Sequence, residues 1–251
     1  MTRLRLAREP IEVGGARGLT DAVRKLLATL PAEDNRACRP GVVLYLAGND
    51  GVGKTTQAEL LVSEIRRHGL ECRYVWLRFP HLVSIPVLVL SRMLGVTRYY
   101  QEMGHTYGRW HFERAPRLAS ALLWCQVVDA AVYRAIRIEP ILRRGRIVVL
   151  DRFVYDIMVD IASAAEDPAL LSGVPAGLLH WLLPRESRTV LLHCAPEVIR
   201  LRRPAAAPDP LLDTRSEMYL EIARHWDVPV VDAGGPVEAV HTCVAQTLAG
   251  A

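Results

Sequence analysis

The chain lacks the features that mark several large protein classes. It has 5 cysteines in 251 residues, widely spaced and without any Cys-x-x-Cys pair, which argues against a disulfide framework or a zinc site. Apolar residues make up 51% of the chain, yet the most apolar window, residues 82–96, is too short for a membrane span and is broken by Pro86 and Arg92. We therefore expect no membrane span and interpret this window as a core helix.

Lysine is almost absent, because Lys25 and Lys54 are the only two among 31 basic residues. The net charge of +4 is mild, and the arginines are scattered and partly matched by acids. No concentrated basic stripe is present, so we expect no stable nucleic-acid binding, whereas small phosphorylated ligands would explain the surplus. Residues 1–10 contain Glu9 and no long apolar run, which is unlike a secretory signal and favours a cytoplasmic location.

One of the two lysines lies in the most informative motif of the chain. An apolar segment, residues 42–47, leads into Gly48-x-x-x-x-Gly53-Lys54-Thr55, the P-loop pattern. Its glycines allow a tight turn whose N–H groups surround phosphates, Lys54 would reach the outer phosphates and Thr55 would bind Mg²⁺. The alternative is a glycine-rich turn that only begins a helix. The flanking strand and amphipathic helix favour the P-loop.

The rest of the chain predicts an α/β fold with a parallel sheet flanked by helices. Short, continuous apolar segments recur between helical stretches, as expected for strands buried on both faces. These predicted strands are residues 42–47, 72–77, 146–150, 189–193 and 228–231. Residues 1–40 form a predicted extension with one helix, residues 19–30, capped by Thr20. The main domain would then be residues 41–251.

Residues 79–144 are predicted to be mainly helical and to contain the acceptor site. Their middle, residues 99–117, is rich in aromatic and charged residues. It is either a partly exposed loop whose rings cover the core, or an acceptor pocket or lid in which Phe79, Trp110 or Phe112 stacks on a base. The following predicted helix, residues 118–138, contains Asp129, whose carboxylate either is paired internally or faces a ligand.

A second motif, Asp151-Arg152, follows the predicted strand 146–150. In a P-loop fold this carboxylate is placed to hold Mg²⁺, usually through water, and the planar guanidinium beside it can clamp a phosphate. Taken alone, an Asp-Arg pair after a strand is more often a surface ion pair. Its position downstream of a P-loop favours the phosphate-binding interpretation.

These motifs together resemble the thymidylate kinase family. The similarity covers about residues 41–245 and implies a five-stranded parallel core of the nucleoside monophosphate kinase type, a lid at about residues 198–212, ATP with Mg²⁺, and γ-phosphoryl transfer to a nucleoside monophosphate. The matching segments, in chain order, are Gly48-x-Asp50-Gly51-x-Gly53-Lys54-Thr55-Thr56-Gln57, Arg78-Phe79-Pro80, Pro140-x-Leu142-x-x-Gly145, Asp151-Arg152-Phe153, Thr214-Arg215-x-Glu217-x-Tyr219 and Val231-Asp232-Ala233.

The resemblance also implies roles for individual residues. Asp50 would contact the sugar hydroxyl of the acceptor, Arg78 and Arg152 would hold its phosphate, and Phe79 would lie beside it. Thr55 and Asp151 would hold Mg²⁺, and Lys54, Asp151 and Arg152 would act in catalysis. The residues expected to contact ATP are Gly48, Asn49, Asp50, Gly51, Val52, Gly53, Lys54, Thr55, Thr56 and Asp232.

The P-loop has no basic residue at Gly51 or Val52, and in that situation the lid of the family supplies the cation. Its stretch here, residues 198–205, contains three arginines that are expected to act in catalysis or else form a solvated helix end. They are Arg200, Arg202 and Arg203.

The sequence departs from the family's pattern around the acceptor base. Gln126 and Ala130 stand near the positions of a base-stacking aromatic and an arginine. Asp156 replaces a serine, and Ala47 replaces an acidic residue. These changes leave ATP use unaffected and predict weak or altered base preference.

We therefore expect an ATP-dependent kinase similar to thymidylate kinases, which convert dTMP and ATP to dTDP and ADP. One alternative is a P-loop kinase for another nucleotide, a nucleoside or a small hydroxylated acceptor. Another is a nucleotide-controlled interaction module that contacts a partner through the N-terminal helix and residues 82–96. The expected partner is a nucleotide substrate, with a homodimer as one possible assembly.

Overall fold

The computed structural model describes residues 17–30, 41–102, 105–202 and 209–250. Its strands are β1 Val43–Gly48, β2 Cys72–Trp76, β3 Thr97–Glu102, β4 His105–Trp110, β5 Ile147–Asp151, β6 Ser187–His193 and β7 Val230–Asp232. Its α-helices are α1 Arg17–Ala28, α2 Lys54–Arg67, α3 Ile85–Met93, α4 Pro116–Tyr133, α5 Glu139–Leu142, α6 Val154–Ala165, α7 Val174–Trp181, α8 Pro196–Arg202, α9 Leu212–His225 and α10 Val237–Gly250.

Five of the strands form one parallel sheet in the order β2-β5-β1-β6-β7. This confirms the predicted fold class, and each observed strand overlaps the segment predicted for it. In the register of the sheet, Leu46 lies beside Asp151 and Gly48 lies beside Leu192. Because parallel strands end at the same edge, the P-loop and the residues after β5 are neighbours at that edge.

Helices cover both faces of the sheet. Alternate residues of each strand point to opposite sides, so that Leu44 and Leu46 join the core formed with α1, α2 and α10. Tyr45 and Val148 point the other way and join the core formed with α4, α6, α7 and α9. Every residue of β1 and β5 is buried, which explains their continuous apolar sequences.

The N-terminal helix α1 begins at Arg17, two residues before its predicted start. Thr20 therefore lies within the helix and is not its cap. The buried side chains of Val23 and Leu26 join the core that contains α10. Nearby, the Arg188 guanidinium donates hydrogen bonds to the carbonyl oxygens of Thr29 and Leu248. Helix α1 therefore packs on the main domain, against α10.

The prediction of a core helix at residues 82–96 is wrong in one respect. A helix, α3, is present, but its apolar side chains are largely exposed, with 52% of Val89 and 79% of Met93 accessible. The sequence could not show this, because apolar content does not reveal which face another element will cover. The window therefore forms an apolar surface rather than a core.

The aromatic region, residues 99–117, is not a loop, which was the first of its two interpretations. Strands β3 and β4 form an antiparallel hairpin in which Thr97 pairs with Trp110. The segment lacks the alternation of apolar and polar residues by which a half-buried strand is recognised. After it, α4 continues through a π-helical turn, Arg134–Ile138, into α5, close to the predicted helix 118–138.

One helical stretch, Pro116–Leu142, is long and apolar enough by length and composition to cross a membrane. A single helix of this kind is weak evidence for a span, since core helices pass the same test. In this fold α4 packs against α6 and α7.

Candidate phosphoryl-transfer site

The P-loop connects β1 to α2 and depends on two glycines in particular. Gly48 has φ 140°, and a Cβ there would lie 2.3 Å from the Leu192 carbonyl oxygen. Gly53 has φ 103° and immediately precedes α2. Side chains rarely adopt such backbone angles, so the sharp turn that aims the loop at the N-terminus of α2 requires glycine. This geometry is that of an anion site.

Lys54 lies under this loop with only 4% of its surface exposed. Its ammonium donates hydrogen bonds to the carbonyl oxygens of Gly48, at 2.5 Å, and Asn49, at 2.8 Å. Burial lowers the pKa of Lys54, and the carboxylates of Asp156 and Asp151 oppose that effect. The positive charge is therefore held within the loop that would surround the phosphates.

Several predicted ATP contacts face the protein rather than the loop's interior. The Asn49 side chain donates to the Leu212 carbonyl and accepts from the Asp50 N–H, while the Val52 side chain is buried in the core. Thr56 lies half-buried on the first turn of α2. The side chains of Asn49 and Val52 thus brace the loop, and any contact they make with phosphates would come from the backbone.

Thr55 and Asp151 are brought together by the pairing of β1 with β5. The Thr55 hydroxyl donates to Asp151 Oδ2 at 2.8 Å, and the Tyr74 hydroxyl donates to the same oxygen at 2.8 Å. Burial raises the pKa of Asp151, whereas Lys54 and these two hydrogen bonds lower it. Within the described residues, the buried Oδ1 has no hydrogen-bond partner. A carboxylate oxygen and a hydroxyl at the P-loop fit Mg²⁺, which prefers oxygen ligands.

The predicted acceptor residues also converge. Arg152 has φ 72°, and its guanidinium pairs with Asp50 and, at 3.5 Å, with Asp156. Arg78 pairs with the same Asp50 at 3.4 Å and with Asp160 at 3.2 Å. These five residues, here named the acceptor-side cluster, come from the P-loop, the end of β2, the end of β5 and α6. Two guanidinium groups in one cluster can bind a phosphate through paired N–H groups.

Sequence reasoning assigned no role to the two carboxylates that α6 contributes to this cluster, and it noted Asp156 only as a departure from the family's pattern. Asp156 is fully buried and accepts hydrogen bonds from the hydroxyls of Tyr45, at 2.8 Å, and Tyr219, at 2.9 Å, and from the Phe153 N–H. Asp160 follows one helical turn later. Two acids four residues apart in an otherwise apolar segment were a usable signal, because buried carboxylates need partners.

The rings proposed to replace the missing base-stacking residue differ in their positions. Phe79 is half-buried, stacked on His81 and edge-on to Trp110 with ring centroids 5.2 Å apart. Phe112 is fully buried in the core, so it is excluded as an exposed stacking ring. Gln126 is also fully buried, and its amide donates to the Pro80 carbonyl at 3.0 Å.

Asp129 is paired internally, which decides between the two interpretations of that carboxylate. It is fully buried and accepts hydrogen bonds from the backbone N–H groups of Leu82, Val83 and Ser84. These groups lie in the turn immediately before α3, and this turn ends at Ser84, the N-cap residue of the helix. Asp129, on α4, therefore anchors the turn from which α3 begins.

The arginines of the predicted lid are engaged differently. Arg200 pairs with the exposed carboxylates of Asp213, at 2.5 Å, and Glu197, at 3.8 Å. Arg202 donates to three successive carbonyl oxygens of the turn after β7, those of Ala233, Gly234 and Gly235. Arg203 lies outside the described residues.

Asp232, a predicted ATP contact, stabilises the turn that Arg202 contacts. It accepts a hydrogen bond from the Gly234 N–H at 2.8 Å.

Comparison with known proteins finds relatives that share one name. A thymidylate kinase of Methylococcus capsulatus is 30% identical over 82% of this chain and 94% of that protein. A thymidylate kinase of Leifsonia xyli subsp. xyli is 31% identical over 80% of this chain and 91% of that protein. A third, from Symbiobacterium thermophilum, is 28% identical over 79% and 88%. No protein-family profile matches the chain.

Proposed function

The chain belongs to the thymidylate kinase family, and on that premise we propose that it transfers the γ-phosphoryl group of ATP to a nucleoside monophosphate, with dTMP as the first candidate acceptor. The observation that carries this proposal is the placement of two sites side by side. The P-loop and the Thr55–Asp151 contact form one, and the acceptor-side cluster, which shares Asp50 with the P-loop, forms the other.

ATP with Mg²⁺ is the donor that these residues fit. Lys54 supplies a buried positive charge at the loop, and Thr55 with Asp151 offers oxygen ligands to the metal. Bound Mg²⁺ would neutralise charge on the transferring phosphate. The protein's own contribution is positioning, because phosphoryl transfer needs little covalent chemistry from side chains.

On the acceptor side, Arg78 and Arg152 hold the acceptor phosphate and Asp50 accepts a hydrogen bond from a sugar hydroxyl. Gln126 and Ala130 have neither a ring nor a cationic group to offer to the base, and both are fully buried. A site without these groups loses about 1–3 kcal/mol of base recognition. We therefore infer that the enzyme discriminates among bases less strongly, by about ten- to two-hundredfold, than a site that keeps both groups.

A lid arginine stabilises the transferring charge in this proposal, and Arg200 is the best candidate among those described. Its ion-pair partners are exposed, so it can leave them at a cost of at most about 1 kcal/mol. Arg202 would have to give up three hydrogen bonds to carbonyl oxygens.

The test is a screen of dTMP, dUMP, dCMP and dAMP with ATP and Mg²⁺, measuring ADP formation and kcat/KM. Sustained ADP formation that depends on the acceptor supports the kinase proposal. If none of these nucleotides is phosphorylated, the proposed acceptor class is refuted. If ADP does not accumulate with any acceptor, an interaction module replaces the kinase proposal. A preference for dTMP above about a thousandfold would contradict the weakened base recognition.

We also propose that the enzyme is cytoplasmic.

We further propose that the apolar surface formed by α3 together with the adjoining exposed side of α4 is a homodimer interface. Helices α3 and α4 pack side by side and expose Val89, Met93, Trp124 and Val128. A two-fold interface brings the same surface together from both copies, and an apolar surface does not repel itself as a charged one would. Light scattering should give a dimer that Val89→Glu dissociates, and a monomer at high concentration would refute this.

A further inference from the structure

Asp160 occupies a central position in the acceptor-side cluster, and neither the P-loop nor the Asp-Arg motif accounts for it. Its side chain is 8% exposed and lies between two guanidinium groups. Oδ2 accepts a hydrogen bond from Arg78 Nε at 3.2 Å, and Oδ1 lies 3.6 Å from Arg215 Nε. Burial alone would raise the pKa of Asp160, but Arg78, Arg215 and Arg152 together bring it below its ordinary value. The carboxylate is therefore ionised at neutral pH.

Asp160 binds one particular nitrogen of the Arg78 guanidinium, and this determines which of its N–H groups remain for a ligand. A guanidinium has one N–H on Nε and four on its two terminal nitrogens. Asp160 takes the Nε hydrogen bond, and Asp50 faces Nη2 at 3.4 Å without a hydrogen bond to it. Among the described residues no hydrogen bond reaches the terminal nitrogens of Arg78. Its end-on face, which binds phosphate oxygens in pairs, thus carries only the 3.4 Å ion pair of Nη2 with Asp50 and makes no hydrogen bond within the described residues.

Arg215, on α9, lies behind Asp160 and is itself held from the other side. Its Nη1 donates to Asp209 at 2.6 Å, and its Nε faces Asp160. That buried Nε has no hydrogen-bond partner within the described residues, so its main electrostatic partner there is Asp160. A buried carboxylate is costly without opposite charge, and Arg215 supplies part of that charge at Oδ1, whereas Arg78 holds Oδ2.

We propose that Asp160 is a positioning residue, which fixes the Arg78 guanidinium so that its terminal N–H groups face the acceptor phosphate, and that Arg215 acts through Asp160 as the charge that keeps it in place. This inference rests on the proposed function, because it concerns the same acceptor. It adds two residues, Asp160 and Arg215, that lie outside the P-loop and the Asp-Arg motif and that determine acceptor affinity rather than ATP affinity.

The experiment measures kcat and KM for both substrates in Asp160→Ala and Asp160→Asn, with the nucleotide of the four-compound screen that the unaltered enzyme uses best. Asp160→Ala should raise the acceptor KM by about tenfold or more while the ATP KM stays unchanged, because only the acceptor's phosphate contacts Arg78. Asp160→Asn should give a smaller increase, since its amide oxygen still accepts from Nε. The same order should appear in acceptor dissociation constants measured by calorimetry.

A second experiment combines Arg215→Ala with Asp160→Ala in a double-mutant cycle. Alone, Arg215→Ala should raise the acceptor KM, and in the Asp160→Ala background it should add nothing, because it acts through Asp160. Equal additive effects in both backgrounds would overturn this coupling. The matched control is Arg224→Ala, which removes an exposed arginine from the same helix and should leave both KM values unchanged.

The outcomes separate this inference from the proposed function. If the unaltered enzyme phosphorylates a nucleotide but Asp160→Ala and Asp160→Asn keep its acceptor KM, the positioning role is refuted and the kinase stands. If both variants lose thermal stability while the acceptor KM is unchanged, Asp160 is only structural. Should Asp160→Ala fail to fold, the nearly isosteric Asp160→Asn and Arg215→Ala decide. Absence of turnover in the unaltered enzyme refutes the proposed function itself.

Discussion

Acidification should destabilise the protein through one buried side chain, His241. This residue lies on α10 with 1% of its surface exposed, and its Nδ1–H donates to the Gln57 side-chain oxygen on α2 at 2.9 Å. Its buried Nε2 has no hydrogen-bond partner within the described residues. Burial lowers the pKa of His241 from 6.5 to about 4, so the imidazole stays neutral in the folded protein at pH values where the unfolded chain is already protonated.

The sign and size of the effect follow from proton linkage. Between the two pKa values the unfolded state binds more protons than the folded state, so the free energy of unfolding decreases as the pH falls. Each pH unit in that range costs up to about 1.4 kcal/mol. The loss should be about 2 kcal/mol between about pH 7 and about pH 5, and on the order of 3 kcal/mol by about pH 4.

The assay compares urea unfolding of the unaltered chain and His241→Asn at these pH values. Asparagine keeps an N–H donor for Gln57 but does not titrate, so the decrease in the free energy of unfolding between about pH 7 and about pH 5 should be smaller by about 2 kcal/mol in the variant than in the unaltered chain. His68→Asn is the control, because it makes the same replacement at an exposed position. Equal pH dependence in the unaltered chain and His241→Asn would refute the reasoning.

The remaining predictions concern the P-loop, the lid and α3. Lys54→Ala should abolish turnover without changing the circular dichroism spectrum, and near-normal kcat would contradict the site. Arg200→Ala should lower kcat by on the order of 10³ with a smaller effect on ATP binding, and an unchanged kcat would exclude it as the lid arginine. Arg202→Ala should instead lower stability by about 1–2 kcal/mol in thermal unfolding, through three lost hydrogen bonds. Asp129→Ala should cost about 3 kcal/mol, since three backbone N–H groups lose their acceptor, and Asp129→Asn should cost less.

The sheet was predictable because its signal is local. Each central strand is a short apolar segment, and the P-loop defines where the first one ends. The exposure of α3 and the β3–β4 hairpin were not predictable, since both depend on which surfaces meet after folding. The apolar side chains of α3 are typical of a core helix. The paired residues Thr97 and Trp110 are 13 positions apart, with no alternation of apolar and polar residues between them.

The residues of the candidate site were also predictable only in part. Motif spacing led to Lys54 and Asp151, because the P-loop and the end of β5 are adjacent in any parallel sheet of this order. The charge partners Asp160 and Arg215 are 55 positions apart in the sequence, and only the packing of α6 on α9 brings them within 3.6 Å. Sequence reasoning could find that α6 has buried acids, but not which arginine each one holds.

The packing of α1 on α10 has a practical consequence for producing this protein. Val23 and Leu26 cover apolar residues of α10, including Val244 and Leu248, on the sheet face opposite the acceptor-side cluster. A shortened chain that begins near residue 41 would keep every proposed catalytic residue, but it would expose these apolar residues of α10 to solvent. It should therefore aggregate during expression, although its active site is complete. Any shortened chain should therefore retain α1, Arg17–Ala28.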